Sequence, residues 1–190
     1  MKNTLRRLGL GFVLVAGVSL TMAQDGNINF ATFNNNPAKG KVSLPAIVGG
    51  GGAYGPAYVG QLIGGTVNKI NSLSPIGTPQ AFSSAVPGYI SATPSLVTAT
   101  GSAPGDTYFY ALRAWDAASG SYDNARITSP FWGTSGIVSV VLGGTDAFGG
   151  FFTTPTANGF ASFTIFIPEP TTFTLAGLGM AALLVIRRRK

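Results

Sequence analysis

Glycine and proline recur so densely that few stretches of this chain can form a long helix. There are 27 glycines and 12 prolines among 190 residues. Glycine gives up backbone entropy, and proline removes an N–H donor and clashes with the preceding turn. The helix formers Glu, Lys and Gln are scarce, and only 9% of residues are charged, against about 25% in ordinary soluble proteins. Short strands joined by many turns are the expected outcome. At about 100–200 residues per domain, the length suits one domain with additions.

Strand-like runs fall where this logic places them. Residues 27–33 and 57–63 alternate apolar and polar, and 42–48 is interrupted by Pro45, which reads as an edge or as two pieces. Further candidates are 80–82, 89–91, 96–100, 107–115, 136–142 and 160–167. Turn clusters lie between them at 49–52, 74–79, 101–105, 119–121, 143–144 and 155–159. No convincing helix intervenes, so the expected fold is all-β, a β-sandwich rather than an α/β layer structure.

The net charge of +6 belongs to the ends. Between Gln24 and Ile167, five basic residues (Lys39, Lys41, Lys69, Arg113, Arg126) balance five acidic ones (Asp25, Asp106, Asp116, Asp123, Asp146). No basic patch is left for nucleic acid. The chain has no cysteine and no histidine. That excludes a disulfide framework, a Cys/His zinc site and a His-dependent triad, and no cofactor or metal is expected.

The N-terminus has the three parts of a secretory signal. Lys2, Arg6 and Arg7 precede the apolar residues 8–20 (LGLGFVLVAGVSL), and Thr21-Met22-Ala23 supplies small side chains for a cut between Ala23 and Gln24. Residues 1–23 are therefore expected to be a signal peptide, with signal peptidase as a partner. At the other end, Pro168, Glu169 and Pro170 stop any strand. Residues 173–186 (FTLAGLGMAALLVI) are apolar apart from Thr174, and Arg187, Arg188, Arg189 and Lys190 close the chain. Fourteen helical residues span about 21 Å, short of a hydrocarbon core of roughly 30 Å. Snorkelling arginine stems and local thinning can cover the difference. A short transmembrane helix over about 171–186 with its basic end 187–190 in the cytoplasm follows from the positive-inside rule.

A Pro-Glu-Pro triplet, a short apolar helix and an arginine cluster, in that order at the C-terminus, resemble the PEP-CTERM sorting signal. An ordinary membrane anchor is the plainer alternative. The resemblance covers residues 168–190, a tail that also carries the label of an ice-binding-protein C-terminal domain. It implies recognition by an exosortase-like sorting protease, anchoring in the inner membrane and then passage to the cell surface. It also implies a host that makes exopolysaccharide, a possible partner.

Residues 105–125 (GDTYFYALRAWDAASGSYDNA) are the most informative internal run. Tyr108, Tyr110, Leu112 and Ala114 would share one face of a strand; Phe109, Ala111, Arg113 and Trp115 would share the other. The pattern is similar to the penultimate strand of fibronectin type III domains. On that resemblance Tyr108 takes the tyrosine-corner position, Arg113-Ala114-Trp115-Asp116 closes the strand, and the sandwich over residues 24–167 has an immunoglobulin or fibronectin III-like character.

Sites for chemistry are few. Asp116 and Asp123 could pair as glycosidase carboxylates, but turn-favouring aspartates of a solvated loop are the commoner case. They lack the acidic density of a calcium loop. The glycines at 49–52 precede no lysine and no helix, so they read as a flexible connection rather than a phosphate loop. Tyr54, Tyr58, Trp115, Tyr122, Phe131 and Trp132 fall on or beside expected loops, where rings could stack on sugars, Trp132 and Tyr122 first; core packing is the alternative. The expected function is a non-enzymatic cell-surface or extracellular-matrix protein, with a carbohydrate-binding or adhesive module as the alternative.

Overall fold

The computed structural model describes residues 24–33, 39–46, 50–53, 55–90, 95–129 and 131–165. Its architecture is mostly β: several small sheets and one short helix. Strands β1 (Gly26–Phe30), β2 (Val42–Ser43), β3 (Tyr58–Gly65), β4 (Ser74–Ala81), β5 (Ser95–Ala99) and β6 (Thr107–Asp116) come first. Helix α1 (Tyr122–Thr128) follows, then β7 (Trp132–Thr134), β8 (Val138–Val141), β9 (Gly144–Thr145), β10 (Phe151–Phe152) and β11 (Phe163–Thr164).

The largest sheet orders its strands β4-β3-β6-β7, with β8 also paired to β6. β6 is its organiser. It is antiparallel to β3 along eight residue pairs, from Tyr58 opposite Asp116 to Gly65 opposite Phe109. Its other edge is shared by β7 near Trp115 and by β8 near Tyr108. Ser135 bridges the gap between those two partners. Its hydroxyl accepts from Leu112 N at 2.9 Å and its own N donates to Leu112 O at 2.9 Å. Among the described residues three two-stranded sheets accompany this sheet: β1 antiparallel to β5, β9 antiparallel to β10, and β2 parallel to β11.

The expected alternation on β6 holds. Tyr108, Tyr110, Leu112 and Ala114 are all buried in the main core, together with Ile28 and Phe30 of β1, Val97 and Ala99 of β5, Leu62 of β3, Phe160 and Ile165. The opposite side of β6 is covered piecemeal. Ala111 packs with Ile63 and Leu73, and Trp115 packs with Tyr122 and Ala125.

Several expectations are corrected. Residues 74–79 are not a turn but most of β4, because β4 is the sheet's edge and an edge tolerates Pro75 and Pro79 without losing internal ladder bonds. The strand bends at Gly77 (φ 68°), where an added Cβ would lie 3.0 Å from Val97. Residues 121–128 are not a loop. Ser121 caps α1 by accepting from Asn124 N at 3.2 Å, and Tyr122 and Ala125 dock on Trp115. Among the described residues the run 42–48 contributes β2 and a bridge from Ser43 to Gly52, 160–167 contributes β11 and a bridge from Ala161 to Lys39, and 89–91 contributes a bridge from Ile90 to Phe82. Gly52 is bridged to Ser43 rather than lying in a free linker. Among the described residues no helix is long and apolar enough to cross a membrane. The expected spans at 8–20 and 171–186 lie outside the described residues.

Candidate functional site

The outer face of β6 gathers Trp115, Tyr122 and Trp132, three of the six aromatic residues singled out in the sequence. Trp115 is 2% exposed and meets Tyr122 edge-to-face, with ring centres 6.0 Å apart. Tyr122 in turn meets Trp132 at 6.1 Å, nearly perpendicular. The Arg113 guanidinium stands 4.7 Å over the Tyr122 ring and that of Arg126 stands 5.5 Å over Trp132, the geometry of cation–π attraction. The Tyr122 hydroxyl lies 2.5 Å from Thr134 Oγ1. These rings and cations come together because β6, α1 and β7 converge there, each supplying an alternate or one-turn-spaced side chain. The result is a packed cluster: Tyr122 is buried and Trp132 half-buried, each with a cation against its ring. Two buried donors in it, Trp115 Nε1 and Arg113 Nε, have no hydrogen-bond partner among the described residues.

The other aromatics separate. Tyr58 and Phe131 are half-buried and meet edge-to-face at 6.1 Å against the main core; Tyr54 lies outside the described residues. The most exposed rings are ones the sequence reading did not choose. Phe148 and Phe151 are 98% and 78% exposed, around the turn joining β9 to β10. The only sequence signal for them is their place among glycines at 143–150.

Asp116 and Asp123 have separate engagements. Asp116 accepts from Ala118 N at 3.0 Å through one oxygen and from Ser129 Oγ at 3.4 Å through the other. Asp123 is exposed in the first turn of α1, where its charge meets the positive end of the helix. The remaining aspartates are engaged in the same way. Asp25 accepts from Gly101 N at 2.9 Å, Asp106 from Ala103 N at 2.8 Å, and Asp146 from Phe148 N at 2.9 Å and Gly150 N at 2.6 Å. Among the described residues no three acidic side chains gather as a metal would require.

The tyrosine-corner bond expected of Tyr108 is not found among the described residues. The hydroxyl that holds backbone is that of Tyr110, which accepts from Gly159 N at 3.2 Å across 49 residues of chain. Burial disfavours the phenolate and pushes the pKa of both tyrosines above the usual value; at Tyr110 the Gly159 N–H partly offsets it.

Of the residues expected to carry targeting, Gln24 is exposed at the start of the described chain. Ala23, Pro168, Glu169, Pro170, Arg187, Arg188 and Arg189 lie outside the described residues. Their assignment rests on sequence. Residues 166–190 match the family described as the PEP-CTERM protein-sorting motif. The chain ends in a PEP-CTERM sorting motif. A PEP-CTERM motif implies an exported protein, sorted to the cell surface and processed by an exosortase. No curated protein and no solved structure matches the chain, so the part preceding the PEP-CTERM motif stands on its own geometry.

Proposed function

We propose that the chain is a non-enzymatic scaffold of the cell surface or extracellular matrix, built on an immunoglobulin or fibronectin III-like β-sandwich. In this reading residues 1–23 leave as a signal peptide between Ala23 and Gln24. The tail holds the protein in the inner membrane by residues 171–186, with Arg187–Arg189 as the stop, until the sorting protease acts at the Pro168-Glu169-Pro170 segment. Residues 24–167 are then delivered as one domain.

The observation that carries the non-enzymatic part is where the carboxylates go. Asp25, Asp106, Asp116 and Asp146 each accept hydrogen bonds from backbone N–H groups of turns, and Asp123 sits at a helix start. A general acid or nucleophile needs a carboxylate held toward a reacting atom; these are committed to holding loops. The sandwich is supported by the main core, which joins side chains of the β1–β5 sheet to the inner face of β3 and β6.

The test is the double variant Asp116→Asn, Asp123→Asn, introduced into a strain deleted for the gene. Asparagine keeps an acceptor for the Ala118 N–H but removes both charges. The variant is expected to restore the wild-type surface phenotype at equal surface abundance. Loss of the phenotype with normal abundance and a normal circular dichroism spectrum would overturn the non-enzymatic reading.

A further inference from the structure

A concavity lies away from the aromatic cluster. The end of β3 with the loop after it, the start of β4, the end of β5 with its following turn, and Tyr108 of β6 enclose a cleft of about 510 Å³, within the roughly 300–1,000 Å³ typical of small-molecule sites. No charged side chain lines it. Hydroxyl-bearing residues do: Thr66, Ser72, Ser74, Thr98 (whose Oγ1 donates to Asn27 Oδ1 at 3.3 Å), Thr100, Ser102 and Tyr108.

Two of these groups are unusual. Tyr108 and Ser102 are 4% and 5% exposed. Neither hydroxyl has a hydrogen-bond partner among the described residues, and neither is among the buried groups sealed from solvent. A buried hydroxyl is normally paired inside the protein; these two are left to face the cleft. The Tyr108 ring lies against Gly64, which is paired with Tyr110 on β6, and a Cβ on Gly64 would collide with that ring. The nearest carboxylate bonded to a lining residue, Asp25, is engaged with Gly101 N.

We infer that this cleft binds a neutral glycan. A hydroxyl both donates and accepts, so a ring of hydroxyls matches a ligand whose own groups are hydroxyls. An anionic sugar or a phosphate would call for a cation, and the lining offers none. Pro75, Ile76 and the Tyr108 ring supply the apolar surface that the C–H faces of a sugar ring would cover. The inference does not depend on the scaffold reading or on tail processing, since it concerns only the residues around the cleft.

The test uses the full chain, extracted from membranes in detergent and titrated by calorimetry with cellohexaose, maltohexaose, mannohexaose and the anionic comparator polygalacturonate. At least one neutral oligomer is expected to bind, and more tightly than polygalacturonate. Thr98→Tyr places a bulky side chain at an exposed strand position that accepts aromatics, and should weaken binding by about tenfold or more. Tyr108→Phe removes one hydrogen-bonding group and should weaken it by about three- to tenfold. Trp132→Ala, in the separate aromatic cluster, should leave affinity unchanged. Circular dichroism establishes that each variant is folded. Three results would each overturn the inference: no neutral oligomer binding, preference for polygalacturonate, or wild-type affinity in both cleft variants. Loss of binding in folded Trp132→Ala would overturn it in favour of the aromatic face.

Discussion

The tail and the body of this chain carry information in opposite ways. The tail is a linear signal: a triplet, an apolar run and a cluster of cations in fixed order, matched over residues 166–190. Such a motif is read along the chain by an exosortase. The body, residues 24–165, has no match among curated proteins or solved structures, and what it does depends on which side chains its strands bring together. Local sequence order therefore announces destination, whereas the role at that destination is written in packing.

If this separation is correct, a change in one region should leave the other intact. The largest effect belongs to the tail. Replacing Pro168, Glu169 and Pro170 with alanine keeps the hydropathy of the segment nearly constant, yet almost all of the protein should accumulate uncleaved in the membrane fraction on immunoblots. The thermal transition of the body should not move. Release of this variant at the wild-type level would reduce the tail to a plain anchor.

The body should respond in the reverse sense. Leu112 is fully buried at the centre of β6, so Leu112→Ala should cost about 2–5 kcal/mol in denaturant unfolding. The fraction that still folds should be processed at its tail like wild type.

A smaller effect is expected at Tyr110. Tyr110→Phe leaves the Gly159 N–H without its acceptor, a loss of about 1 kcal/mol at neutral pH. The same variant tests the raised pKa of this phenol. The folded state holds that proton more tightly than the unfolded chain does. The stabilisation is therefore complete below the ordinary tyrosine value of 10.0 and is lost as pH rises through the higher folded value. The alkaline decline in stability should be shallower in Tyr110→Phe; Tyr108, raised by burial as well, accounts for part of what remains.

The smallest effect is expected at Phe148, which is 98% exposed. Phe148→Ser should change stability by less than about 0.5 kcal/mol and should not alter processing. A larger loss would show that the β9–β10 turn packs against something in the whole protein.

The body was legible from sequence where a residue's neighbours along the chain decide its fate. β6 was expected at 107–115 and spans Thr107–Asp116, because an extended strand puts Tyr108, Tyr110 and Leu112 on one face and Phe109, Ala111 and Trp115 on the other, where both sets can be covered. It was not legible where a distant partner decides. Pro75, Gly77 and Pro79 look like a turn, but at the edge of a sheet they are a strand, and only the neighbouring β3 makes that edge. Helix α1 buries just Tyr122 and Ala125, too few to show a helical period, and it stands on the Ser121 cap and on Trp115. The aromatic cluster was visible as a set of residues but not as an assembly. Trp115 and Tyr122 were placed by the sequence on or beside loops, and their burial follows from α1 folding back on β6.

The most direct test of the account is the intact mass of the protein recovered outside the cell, compared with the 19.4 kDa full chain. Export followed by sorting predicts a species that begins at Gln24 and has lost the apolar and basic residues after Pro170. A released protein that still carries both Met1 and Lys190 would contradict it.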